Sequence, residues 1–184
     1  MTRMEGFTMP LEQVAFRLLV ALVLSAIIGL EREVHGKPAG LRTHALVGLG
    51  AAIMTICGVL IAEQYRSGTA TTTVDPTRLA SVVIQGIGFI GAGVIIQSRG
   101  IVKGLTSAAT LWFVAAIGIA AGFGFWEISA ISTSIALILL ILFMKLEQEA
   151  ERLELIHLHS EPEEKKLPKR SKTKRSRSPS SQSV

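Results

Sequence analysis

The 184 residues contain a single cysteine, Cys57, set inside an apolar run. No intrachain disulfide can therefore form, and no cysteine-based metal site exists. As a small apolar side chain, Cys57 needs no further role. Charge is just as scarce over a long stretch: from Leu105 to Met144 the only ionisable side chain is Glu127. Ten of the nineteen Lys and Arg lie from Lys145 onward, so the net charge of +5 belongs mainly to a tail. A soluble protein of this size mixes its charges; this chain separates them. Catalytic patterns are missing too. No Ser, His and Asp can be placed as a triad and no His-x-x-x-His occurs, so the chain does not read as an enzyme.

Long apolar runs take the place of these features. A bilayer core of ~30 Å needs about 20 helical residues at ~1.5 Å each. Five runs come close: residues 14–30, interrupted only by Arg17, then 44–62, 79–96, 105–125 and 128–144. They are continuously apolar rather than alternating, which predicts helices and not barrel strands. The expected fold class is all-α, a polytopic membrane protein with about five transmembrane helices. Gly122, Gly124 and Glu127 mark the turn between the last two.

The first run ends in Gly29-Leu30-Glu31-Arg32-Glu33 with no small-x-small cleavage pattern, and reads as an uncleaved span. One set of flanks carries Arg32, Lys37, Arg42, Arg99, Lys103 and the basic tail; the other carries Arg3, Arg66 and Arg78. The richer set is expected to face the cytoplasm, with the N-terminus out and the C-terminus in. Residues 1–146 form the transmembrane domain, and 147–184 a cytoplasmic helical extension followed by a disordered basic tail from Glu161. Such a tail reads first as solubilising; contact with anionic lipid headgroups beside the bilayer is the alternative, in preference to nucleic acid.

Three polar groups stand out. Between spans one and two, Glu31, Arg32 and Glu33 are followed by His35, Arg42, Thr43 and His44. Charges of both signs at a membrane surface can pair and fix two helix ends; alternatively, Glu31 and Glu33 can serve a ligand or cation. Before span three, Asp75-Pro76-Thr77-Arg78 reads as a helix start, with Asp75 as N-cap, Pro76 first in the helix, and Arg78 in reach of Asp75. Capture of a divalent ion by Asp75 remains open, since Mg²⁺ needs only one or two protein carboxylates.

The third group is Gln85 to Gly93, which holds four glycines, Gly86, Gly88, Gly91 and Gly93. Glycine disfavours helix. A dinucleotide fingerprint is rejected, because neither the preceding strand nor the amphipathic helix it requires is present. Helix packing through small residues is the preferred reading, and an unwound segment exposing carbonyls is the other. Gln85 is the one polar side chain at this depth. Span four adds a small-xxx-small pair, Gly118 and Gly122, and Ala26, Gly29, Gly48 and Ala52 extend such faces to spans one and two. Thr106 and Ser107 are expected to cap the start of span four, Trp112 to pack between helices, and Trp126 to lie in an interface belt.

With these residues in view, the sequence resembles the MgtC/SapB family of bacterial membrane proteins. The resemblance rests on Gly29 to Glu33, Ala39 to His44, Asp75 to Arg78, Gly86 to Gly93 and Gly104 to Trp112, in that order. It covers roughly residues 14–144. Ile90 stands where Leu is usual and Ser107 where Thr is usual. The chain also departs from virulence-associated members, which resemble one another in a folded cytoplasmic domain after the last span. The resemblance implies an inner-membrane protein linked to growth under magnesium limitation and to intracellular survival. It implies either transport or sensing of Mg²⁺, or regulation of other membrane machinery such as the F-type ATP synthase. No cofactor is indicated other than Mg²⁺ itself, for which Asp75, Glu31 and Glu33 are the candidate ligands. The expected partners are the lipid bilayer and either further copies of the chain or another membrane protein.

Overall fold

The computed structural model describes residues 9–66, 74–98 and 101–160. Its elements run α1 (Leu11–Val34), α2 (Leu41–Arg66), α3 (Thr77–Val94), β1 (Ile96–Ser98), β2 (Ile101–Lys103), α4 (Leu105–Phe123) and α5 (Trp126–Ser160). All five helices are long and apolar enough to cross a membrane. The chain is thus an all-α, multi-pass membrane protein with one small β-ribbon. It divides into two units, Met1–Ile141 and Leu142–Val184. In the second, the described residues 142–160 are helical, and Arg152 and Glu149 form an exposed pair at 3.9 Å. The expected disordered tail lies outside the described residues.

Burial within the first unit is the inverse of a soluble core. Its fully buried positions include Ser25, His44, Thr55, Ser107 and Ser129, whereas Phe89, Leu46 and Ile135 are exposed. A lipid-facing surface explains this: large apolar side chains stay outside, while small and polar ones let helices meet. α4 is the central helix, with half of its apolar stretch buried against a third or less in each of the other four. Ile28, Val114, Ile117 and Leu140 form one apolar cluster, and Ala21, Ala52 and Ala121 another.

The helices that form this core meet backbone to backbone. A methyl group on Gly48 of α2 would collide with Ser25 Oγ of α1, and one on Gly118 of α4 with the Gly48 carbonyl. At Gly122 it would lie 2.7 Å from Thr55 Cβ and 2.9 Å from the Ala52 carbonyl oxygen. At Gly29 it would lie 2.8 Å from His44 Cβ. The small residues of spans one, two and four are therefore used inside the chain.

Several boundaries differ from the sequence reading. The apolar run of span three extends to residue 96, but the helix ends at Val94, because Ile96, Gln97 and Ser98 pair antiparallel with Lys103, Val102 and Ile101. The left-handed Gly104 (φ 89°) then turns the chain into α4 without a side-chain cap. Thr106 and Ser107 do not cap that helix; Ser107 is buried and its carbonyl accepts the Thr110 hydroxyl at 2.9 Å. The α4–α5 turn falls at Gly124 (φ 92°), where the Gly124 and Phe125 N–H groups donate to Ala121 and Ala120. α1 ends the same way at Gly36 (φ 62°). Glycine is needed at such positions because a Cβ disfavours the left-handed conformation. Trp112 is half exposed, like Trp126, and is not buried between helices.

Candidate functional site

At the end of the bundle where α1 passes into α2, adjacent residues form a tight ion pair. Arg32 presents Nε and one terminal nitrogen to the two carboxylate oxygens of Glu31, the latter contact being 2.6 Å. Their side chains are only 3% and 8% exposed. Such a desolvated pair holds only with good geometry, which the planar guanidinium fork supplies. His35 Nδ1 lies 2.7 Å from the Glu31 backbone carbonyl and 3.1 Å from its carboxylate. Glu33 reaches across the turn, where its Oε2 accepts the Leu41 N–H at 2.8 Å and satisfies a donor at the start of α2. Gly40 leaves room for this carboxylate, since a Cβ there would sit 2.8 Å from Oε2.

One turn into α2, His44 is fully buried. Its Nδ1–H donates to the Gly40 carbonyl at 2.9 Å, and its Nε2 lies 3.0 Å from the Thr110 hydroxyl of α4. That contact ties the α1–α2 turn to the central helix. Glu31, Arg32, Glu33 and His44 are thus gathered at one end, whereas Arg42 and Thr43 of the same segment are exposed.

The remaining sequence-predicted residues lie elsewhere. Asp75 is at the opposite end, where its Oδ1 accepts both the Thr77 N–H at 2.8 Å and the Thr77 hydroxyl at 2.7 Å. These bonds, and more weakly the Arg78 charge, hold its carboxyl below the usual 3.8. The helix proper starts at Thr77 with Pro76, not Asp75, in the N-cap position and without a side-chain cap; Asp75 instead takes the Thr77 N–H in the turn that leads into the helix. Asp75 and the Glu31–Glu33 pair do not converge. Among the described residues no three His, Cys, Asp or Glu side chains are grouped to hold a metal. Each of the three candidate carboxylates is engaged by protein donors.

Gln85 is exposed on α3, which is helical throughout Thr77–Val94 rather than unwound. Of its glycines only Gly91 meets a neighbour, with Ala108 Cβ 3.6 Å from where its own Cβ would be. Gly86, Gly88 and Gly93 have open space beside them and do not pack inside the chain. Gly118 and Gly122 do pack, against α2. Sequence reasoning passes over Arg17, whose terminal nitrogen donates to the Gly122 carbonyl at 2.9 Å and so satisfies the end of α4. An ionisable group within an apolar span is the available signal.

A bundle of apolar helices with a buried ion pair at one end defines a multi-pass membrane protein. The MgtC family model matches residues 18–149, and the chain belongs to the MgtC family. It is 45% identical over 118 residues to an uncharacterised protein of Haemophilus influenzae, covering 64% of this chain and 50% of that one. It is 40% identical over 116 residues to the Escherichia coli K12 protein named "Putative magnesium transporter YhiD", covering 61% and 52%. To protein MgtC of Salmonella typhimurium it is 42% identical over 118 residues, covering 64% and 47%. The chain thus spans about half the length of these relatives. No solved structure matches it.

Proposed function

We propose that this chain is a bacterial inner-membrane protein of Mg²⁺ homeostasis that acts without catalysis, by contact with other membrane proteins or with further copies of itself. The link to magnesium comes from the name of the Escherichia coli relative. The observation that carries the contact reading is the packing of α1, α2 and α4. Gly48 and Gly118 touch through a carbonyl, and Gly122 rests on Thr55 and Ala52. Helices this close leave no room between them for a hydrated ion, and Mg²⁺ gives up its waters reluctantly. α3 supplies the complementary feature. Its exposed Gln85, Gly86, Gly88 and Gly93 form a surface on which another helix can approach closely and share a hydrogen bond. The lysine and arginine bias of the flanks supports a cytoplasmic α1–α2 turn, so the Glu31–Arg32 pair would be read from that side.

A second reading, transport by an oligomer, is favoured by the same α3 face, because several copies of Gln85 could line a polar path. Mg²⁺ uptake into proteoliposomes, followed with an internal Mg²⁺-sensitive dye, separates the two. The contact reading expects no uptake above empty liposomes from inserted, folded protein. Uptake that wild type supports and Gln85→Leu abolishes would overturn it in favour of transport.

A further inference from the structure

A cleft of about 450 Å³ opens where the first turns of α1 pass the α4–α5 turn, lined by Glu12, Gln13, Phe16 and Arg17 on one side and by Gly124 and Trp126 on the other. Its size is that of a small-ligand site. Arg17 is half-buried, and two features fix its guanidinium. One terminal nitrogen donates to the Gly122 carbonyl at 2.9 Å. The group also lies flat against Gly124, where a Cβ would come within 2.9 Å of the other terminal nitrogen and 3.0 Å of Cζ. A guanidinium held in this way keeps the rest of its N–H fork in place, the arrangement that receives phosphate oxygens bidentately.

The order of groups along α1 then narrows the ligand. Glu12 is exposed and five residues before Arg17, roughly 8 Å nearer the helix start at ~1.5 Å per residue. From Phe16 in the cleft wall, an exposed apolar line continues through Leu19, Val23, Ile27 and Leu30 at three- and four-residue spacing. Trp126, half exposed, stands at the start of α5, the level at which aromatic side chains mark the membrane interface. From the surface inward the protein therefore offers a carboxylate, a guanidinium and an apolar stripe. We propose that the cleft holds the headgroup of a zwitterionic phospholipid of the phosphoethanolamine class. Glu12 receives the ammonium, Arg17 receives the phosphate, and the acyl chains lie along the apolar line of α1.

Native mass spectrometry of the full chain in detergent tests this, with short-chain phosphatidylethanolamine as the probe. Phosphatidylglycerol and diacylglycerol of the same chains, and soluble glycerophosphoethanolamine, serve as competitors. The expected result is binding of phosphatidylethanolamine about tenfold or more tighter than diacylglycerol, lost in Arg17→Gln, as a charge-assisted hydrogen bond implies. Glu12→Gln should keep phosphate-lipid binding but no longer prefer ethanolamine over glycerol. Glu12 is exposed, so this variant tests the proposal even if Arg17→Gln fails to fold. Equal binding of diacylglycerol, or unchanged binding by a folded Arg17→Gln, would overturn the site. Tighter binding of phosphatidylglycerol by wild type would overturn the zwitterionic assignment. Glycerophosphoethanolamine competing as well as the lipid would overturn the membrane source in favour of a free phosphodiester.

Discussion

Consider replacing Gly118 with alanine. The added methyl group would be driven into the Gly48 carbonyl and to 3.0 Å from both Ala51 Cβ and the Gly48 carbonyl carbon. Two of these three atoms are α2 backbone, which cannot swing aside as a long side chain would, so α2 and α4 must separate. Overpacking of this kind costs about 1–3 kcal/mol. Alanine is also a better helix former than glycine, by about 1 kcal/mol. Gly86→Ala isolates that second effect, because nothing lies within 4 Å of the position. Subtracting one variant from the other cancels the propensity gain and leaves the overpacking cost. Gly118→Ala should therefore unfold about 1–3 kcal/mol more easily than Gly86→Ala in mixed micelles titrated with a denaturing detergent. Gly86→Ala should match or exceed wild type. Equal stabilities of the two variants would refute the claim that α2 and α4 touch through glycine.

The same titration tests the ion pair: Arg32→Ala takes the guanidinium from the Glu31 carboxylate, which is 8% exposed and keeps the contact with His35, and should cost about 3–5 kcal/mol. Most of that loss should return in the double variant Glu31→Gln, Arg32→Met, and a double variant no more stable than the single would refute the pairing argument. At the other end, the folded carboxyl of Asp75 is held below its ordinary 3.8 by Thr77, so its contribution is complete above that value and disappears as pH falls through the folded one. Amide exchange at the start of α3, corrected for its intrinsic rate, should stay level from about pH 7 to about pH 5 and rise only in stronger acid. Asp75→Asn should abolish that acid-dependent rise.

The α1–α2 turn is partly legible in the amino-acid sequence. Glu31, Arg32 and Glu33 stand out because charges of both signs next to apolar spans must find partners. Which partner each takes is not legible there. Arg32 pairs with its own neighbour Glu31, and Glu33 skips eight residues to the Leu41 N–H. Thr110 reads only as part of an apolar span, yet it meets His44 across 66 residues of sequence. The β-ribbon escapes a sequence reading because Ile96 to Ser98 and Ile101 to Lys103 are too short to carry a period of their own.

The sequence by itself determined the number and type of the spanning elements. An apolar run of about 20 residues in lipid can satisfy its backbone only as a helix, whatever its neighbours do. It also placed the break between the last two helices, within Gly122 to Glu127, but not the helix ends themselves: the third helix stops at Val94, short of its apolar run. Only the tertiary structure decided what each glycine inside a helix is for. Gly118 and Gly122 lie under α2, while Gly86, Gly88 and Gly93 face outward. A residue without a side chain carries no sign of what opposes it, so its role is set by the neighbouring helix. Arg17 belongs with them: the carbonyl that anchors it stands 105 residues away at the end of α4, and only folding brings the two within 2.9 Å.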